Sequence, residues 1–167
     1  MIDILIPMEP FGAPRHRARV LRMGDTSRVQ TYADPRFVTA GQTLGVHLKT
    51  LGAQPLPHDV PLFAGLLAVQ SRPKRYMRKK DPDGYLLAHG KPDNDNIEKA
   101  VWDTLKTYGY LQDDCLIRMN MTLRVIAPKA TATTAYMALL VCPLAAKERI
   151  QHFTDGLLLL AEGAGVP

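Results

Sequence analysis

Cysteine is scarce: Cys115 and Cys142 are the only two, in a chain long enough to bury a core without staples. A disulfide framework is therefore excluded, and both read as reduced thiols. Long apolar runs are missing as well. The longest, Ala135 to Leu144 and Gly156 to Ala161, stop far short of the roughly 20 residues that a membrane-spanning helix needs. A transmembrane protein is excluded. Met1 to Pro7 is apolar but carries no basic leader, and Glu9 follows where a secretory signal would place small residues, so the expected location is the cytoplasm. His16, His47, His58, His89 and His152 are scattered with no metal-ligand spacing, which argues against zinc. Internal repeats and low-complexity stretches are absent too, which excludes solenoids and disordered arrays.

What the chain does have is positive charge in two places. Its 167 residues set an expectation of one domain, and 21 Lys and Arg against 16 Asp and Glu leave a formal charge of +5. Arg15, Arg17, Arg19 and Arg22 crowd between Pro14 and Arg22, and Arg72, Lys74, Arg75, Arg78, Lys79 and Lys80 form a second tract. Acids gather elsewhere, at Asp93, Asp95, Asp113 and Asp114. Two basic tracts are the electrostatic footprint of a phosphate-backbone binder, or else two solvated loops.

Along the chain, Ile2, Ile4 and Ile6 alternate with polar or outward positions and predict a strand over Met1–Met8. The following stretch to about Tyr32 shows no periodicity and reads as a long loop, functional or disordered. Asp34 with Pro35 predicts a helix start, and Phe37, Leu44, Leu48 and Leu51 recur at helical spacing. Pro61–Gln70 reads as a buried strand and Ser71–Lys91 as a second long loop. Ile97, Ala100, Val101, Thr104, Leu105 and Tyr108 form one stripe of a helix from Asn94 to Tyr108, closed by Gly109. Ile117, Met119, Met121, Leu123 and Val125 alternate with Arg118, Asn120, Thr122 and Arg124, predicting a strand with one buried and one polar face. Ala135–Cys142 is expected to return as its hairpin partner, and Lys147–Leu160 as a terminal helix. The fold class is α/β in the α+β sense: a small mixed sheet packed with helices, in a single domain over 1–144 with a C-terminal helical extension over 145–167.

The stretch Lys91-Pro92-Asp93-Asn94-Asp95-Asn96-Ile97-Glu98-Lys99, followed by Gln112-Asp113-Asp114, carries the chemistry. Two readings stand side by side. Asp93 and Asp95 are helix caps and Asp113-Asp114 is a solvated turn, or the carboxylates share a divalent cation. A helix from Asn94 to Tyr108 is roughly 22 Å long at 1.5 Å per residue, so acids beyond its end return to its start only by a crossing geometry or through a second subunit. An EF-hand is a poor match, because its sixth position would be Glu98 rather than Gly and its twelfth Thr104 rather than Glu. An aspartyl-phosphate phosphatase motif would follow an apolar strand, and here His89-Gly90-Lys91-Pro92 precedes Asp93.

Asp93-x-Asp95-Asn96, then Lys99, Asp103-x-Leu105 and Asp113-Asp114 resemble the signature of RusA-type Holliday junction resolvases, endodeoxyribonucleases often found in phages and prophages. The likeness is close from Lys91 to Val125 and looser from the first strand to Cys142. It implies a RusA-like fold acting as a homodimer on four-way DNA junctions with Mg²⁺ or Mn²⁺. Asp93, Asp95 and Asp114 match the family's metal-binding acids, Asp113 its neighbouring acid and Lys99 its active-site lysine. The resemblance makes Asp93, Asp95, Asp114 and Lys99 catalytic and Asp93, Asp95, Asp113 and Asp114 metal ligands. Carboxylate oxygens suit hard divalent cations. Lys99, four residues after Asp95, sits where its ammonium can meet a phosphate oxygen, or forms a surface pair worth only about 0.3 kcal/mol. The loop Arg72–His89 and the segment Ala145–Pro167 depart from the family pattern.

Arg15, Arg17, Arg19, Arg72, Lys74, Arg75, Arg78, Lys79 and Lys80 are expected on the DNA backbone. Tyr76 and Phe11 are the candidates for an aromatic wedge into a junction, while Phe37, Phe63 and Phe153 are assigned to the core. Trp102, off the main stripe, belongs to ordinary packing first, or else to a dimer contact or a lysine-lined groove. The leading function is metal-dependent, paired cleavage of branched DNA. The alternatives are a basic DNA-binding protein without catalysis and a nuclease that prefers flaps or forks.

Overall fold

The computed structural model describes residues 1–13, 17–24, 26–32 and 34–165. Its elements are β1 (Ile2–Ile6), β2 (Arg17–Met23), β3 (Thr26–Tyr32), α1 (Pro35–Thr50), β4 (Leu62–Gln70), β5 (Leu86–Leu87), α2 (Asn94–Thr107), β6 (Ile117–Ile126), β7 (Tyr136–Pro143) and α3 (Lys147–Gly163). This is the expected mixed α+β architecture. The main sheet has the order β1-β7-β4-β6-β5. Its centre, β4, pairs parallel with β6 and antiparallel with β7, and both of its faces are covered, which is why its sequence is a continuous apolar run rather than an alternation.

Helices α1 and α2 cover one face. Leu44 and Leu48 of α1 and Ile97, Val101, Trp102 and Leu105 of α2 join Ile2, Ile6, Leu62, Leu66, Leu139 and Val141 in one buried cluster. Trp102 is thus a core residue. The expected cap of α1 is present: the Asp34 carboxylate accepts from the Arg36 N–H at 2.9 Å, with Pro35 at the first helical position. Helix α3 lies on the opposite face, where Ile150 and Phe153 pack on Phe63, Leu140 and Cys142, and Leu160 packs beside Val69 and Val125. Past α3, Gly165 donates to the Tyr85 carbonyl and accepts from the Leu87 N–H, adding one bridge beside β5. Among the described residues no helix is long and apolar enough to cross a membrane.

Three expectations change. The stretch expected as a structureless loop contains an antiparallel ribbon, paired from Arg17 with Tyr32 to Met23 with Thr26. Its cross-strand pair Val20 and Val29 is 62% and 70% exposed, so the ribbon has no buried face there to write a period into the sequence. The hairpin expected between β6 and β7 does not form, because β4 lies between them. Met137, Leu139, Leu140, Val141 and Cys142 are all buried and need the covered place beside β4. Finally, the alternation of β6 holds for Met121, Leu123 and Val125, which meet the α3 side. Met119, however, is 53% exposed, while Arg124 is only 8% exposed.

Gly65 marks the contact between the sheet and α3: a Cβ there would stand 2.3 Å from Phe153 Cε1 and 2.7 Å from Cδ1. Gly65→Ala is expected to lower unfolding free energy by about 1–3 kcal/mol, and Phe153→Ala in that background to relieve the clash. Urea titration of the three proteins checks this, and an unchanged midpoint for Gly65→Ala would mean that α3 does not rest on β4.

Candidate active site

The acidic motif begins where an irregular segment, Ala88 to Pro92, meets α2; the Lys91–Pro92 peptide is cis. Asp93 takes the N-cap position with extended backbone (φ −77°, ψ 166°), but its side chain makes no capping bond. Its carboxylate instead accepts from the Asn96 side-chain amide, which holds it below the ordinary carboxylate range. Asp95 is exposed in the first helical turn, where a negative charge complements the helix dipole. Asp93, Asn96, Lys91 and Pro92 line a cleft of about 470 Å³ whose other wall is Pro10, Gly12 and Ala13. The Ala13 N–H donates to the Asn96 carbonyl at 2.9 Å, fastening that wall to α2. A Cβ on Gly12 would stand 2.6 Å from Pro92 Cβ, so the close approach requires glycine.

Asp113 and Asp114 sit elsewhere. After α2 the chain turns back through a short 3₁₀ turn, Asp114–Leu116, into β6, and contacts place β6 antiparallel beside the helix. Asn94 Nδ2 reaches the Thr122 carbonyl at 3.4 Å, Asn120 Nδ2 donates to Glu98 at 2.7 Å, and Lys106 Nζ meets Asp114 at 3.1 Å. Lys106 also pairs with Asp103 at 3.3 Å. Burial pulls the Lys106 ammonium down, but Asp114 and Asp103 outweigh it and hold it above its ordinary value. Asp113 accepts from the Cys115 N–H at 3.0 Å, and this bond, with Asp114 beside it, keeps its carboxyl below the usual range.

Asp95 and Lys106 are eleven positions apart on α2, a rise of roughly 16 Å at 1.5 Å per residue. The structure thus brings Asp93 together with Asp95, and Asp113 with Asp114, but leaves the two pairs at opposite ends of one helix. Among the described residues no three acidic, histidine or cysteine side chains come together to hold a metal ion. The donors have the right chemistry for Mg²⁺ or Mn²⁺. Their arrangement in one subunit does not fit a cage built from all four. Lys99 is exposed one turn after Asp95.

The basic tracts divide. Arg15 lies outside the described residues; Arg17 and Arg19 belong to β2, the ribbon that follows the cleft wall. Arg72 is a correction. It is 6% exposed, and its guanidinium donates to the carbonyls of Tyr76, Pro82, Gly84 and Ala127, at 2.5 to 3.3 Å. It is the post around which the loop winds, so it is not free for DNA. A lone arginine in a basic run gives no sign of which member will turn inward. Lys129 braces the same loop through the Asp81 carbonyl and the Asp83 carboxylate. Arg78 pairs with Asp81 at 3.0 Å, leaving Lys74, Arg75, Lys79 and Lys80 exposed on its surface. Arg75 stacks over the Tyr76 ring at 4.7 Å, and Phe11 packs against Phe37 and the core. Sequence reasoning gave no role to Arg124, placed on the solvent side of β6 by its alternation, or to Lys106.

A family model described as endodeoxyribonuclease RusA matches residues 7–134. The sequence matches no curated protein.

The division of the basic loop has a measurable consequence. Arg72→Ala strands four carbonyls and is expected to cost about 3 kcal/mol of stability, whereas Lys79→Ala and Lys80→Ala leave the unfolding midpoint unchanged. Equal midpoints for Arg72→Ala and the wild type in chemical denaturation would contradict the role given to Arg72.

Proposed function

We propose, from the premise that the chain belongs to the RusA endodeoxyribonuclease family, that it cuts four-way DNA junctions in a divalent-metal-dependent reaction as a homodimer. The observation that carries the reading is that its two acidic pairs stand at opposite ends of α2, Asp93 and Asp95 at its start and Asp114 on Lys106 in its last turn. A site using all four carboxylates is then completed by a second copy, with Asp93 and Asp95 of one subunit facing Asp113 and Asp114 of the partner subunit. A two-fold axis would make two such sites at once, one for each strand of a symmetric junction.

The charge distribution supports the same substrate. The cleft at Asp93 is followed directly by the arginine-bearing ribbon, and Lys74, Arg75, Lys79 and Lys80 stand out from a loop stiffened from within. Cations on a preformed loop lose little entropy on meeting phosphates, and their contribution falls as salt rises. Mg²⁺ or Mn²⁺ held by the aspartates would lower the pKa of a bound water and act as a Lewis acid toward the phosphate. The chain's own share is positioning. Asp93 and Asp95 present oxygens from the first turn of α2, Asn96 holds the Asp93 carboxylate in place, and Lys99 stands one turn further, where its ammonium meets charge that develops on a non-bridging oxygen.

Cleavage of a synthetic four-way junction in Mg²⁺ is expected to exceed that of a linear duplex of the same sequence by at least about tenfold. Asp93→Asn is expected to abolish cutting yet retain junction binding, because removing an acid lowers repulsion of phosphate. Equal rates on the two DNAs would leave a nuclease without junction selectivity, and flap or fork substrates cut faster than junctions would favour that other preference. Binding without cleavage by either protein would identify a passive binder.

A further inference from the structure

Arg124 is the least explained charged side chain in the described structure. Its exposure is 8%, and only Nη2 has a partner, the Ala88 carbonyl at 3.0 Å. Nε and Nη1 are buried with no hydrogen-bond partner, and so is the Thr122 hydroxyl two residues earlier on the same side of β6. Three buried donors without acceptors cost free energy that a lone subunit does not recover. Thr122 and Arg124 share the side of β6 that faces α2, since Asn120 in the same alternation donates to Glu98 of that helix, and Asn94 Nδ2 reaches the Thr122 carbonyl at the edge of the strand. The Ala88 contact ties the guanidinium to the segment that delivers Asp93, and Asp93's charge acts on Arg124 against the downward pull of burial. The same place holds the free N-terminus of α2, whose N-cap side chain makes no capping bond. Two guanidinium nitrogens and a hydroxyl without acceptors, beside a helix N-terminus that lacks a side-chain cap, are the complement of a tetrahedral oxyanion.

We infer that Arg124 and Thr122, with the N-terminal turn of α2, form a binding site for a DNA backbone phosphate beside Asp93. This rests on the nuclease reading above and adds to it a specific phosphate contact from β6, separate from the exposed basic loop. A carboxylate of the partner subunit is the rival occupant. The phosphate is favoured because Asp114 is already paired with Lys106 at 3.1 Å and Asp113 already accepts from the Cys115 N–H, whereas no described residue accepts from Arg124 Nε and Nη1 or from the Thr122 hydroxyl. A phosphodiester also offers several oxygens in different directions, as the spread of donors demands.

The test compares the wild type with Arg124→Met, Arg124→Lys and Thr122→Val as full-length proteins. Junction affinity is measured in EDTA, where cutting is suppressed, over a range of NaCl concentrations, together with thermal unfolding and sedimentation. Arg124→Met is expected to weaken junction binding about tenfold and to reduce the slope of log K against log salt by about one. Its melting temperature is expected to hold or rise, since an apolar side chain replaces an unpaired buried charge. Arg124→Lys is expected to recover the slope, and Thr122→Val to weaken binding a few-fold with the slope unchanged. An unchanged affinity and slope in Arg124→Met overturns the inference. A melting temperature lowered by several degrees overturns it too, as Arg124 would then be a structural post like Arg72. Conversion of a dimer to a monomer does so as well, by assigning the donors to the partner subunit. Wild-type protein that fails to bind junctions removes the nuclease reading itself, a result distinct from a wild type that binds and an Arg124→Met that binds equally well.

Discussion

The rigidity of α2 is the constraint on which the rest of the molecule depends. Ile97, Val101 and Leu105 lock the helix to the sheet, and β6 runs antiparallel beside it, bonded at Asn94 and Glu98, with the turn before β6 held at Lys106. A helix held along its whole length acts as a spacer of fixed size. It sets Asp93 and Asp95 at one end and Asp113 and Asp114 at the other, and no side-chain rotation closes that gap. One subunit therefore carries two half-complements of carboxylates, and the proposal of a homodimer follows from geometry as much as from the symmetry of the substrate.

Buried arginines organise what surrounds this spacer. Arg72 satisfies four carbonyls and converts a proline- and glycine-bearing stretch into a defined surface, so the neighbouring cations meet solvent from a firm base. Gly165, docked between Tyr85 and Leu87, braces the same region from the sheet edge beside β5. Arg124 is buried to a similar extent but keeps two nitrogens without acceptors. The two residues show the same side chain used in opposite ways: one is consumed by the fold, the other is left with unspent donors next to the proposed reaction centre.

Local patterns made much of this legible. The Asp34-Pro35 start of α1, the stripe of α2, the two-faced apolar run of β4 and the terminal helix all follow from short-range periodicity and capping, and the structure has them where the residues indicate. What was not legible depends on contacts distant in sequence. The ribbon of β2 and β3 packs too little for burial to mark its strands, and the insertion of β4 between β6 and β7 is a choice among non-local pairings. In the candidate site, the acidic motif and Lys99 stand out through their resemblance to the RusA signature, since their spacing alone fits helix caps and a solvated turn as well. The inward turn of Arg72 and Arg124 was not legible, because a basic residue is written the same way whether it faces water or a ring of carbonyls.

The central claim is that each site draws Asp93 and Asp95 from one subunit and Asp113 and Asp114 from the other. Mixing Asp95→Asn subunits with Asp114→Asn subunits tests it most directly, after each variant has been shown to be inactive alone. Random exchange makes about half of the dimers mixed, and each of these carries one intact site, so the account predicts that the mixture regains nicking of a four-way junction, while a mixture of Asp93→Asn with Asp95→Asn stays inactive. A mixture of Asp95→Asn and Asp114→Asn as inactive as its components, with subunit exchange demonstrated, would contradict it.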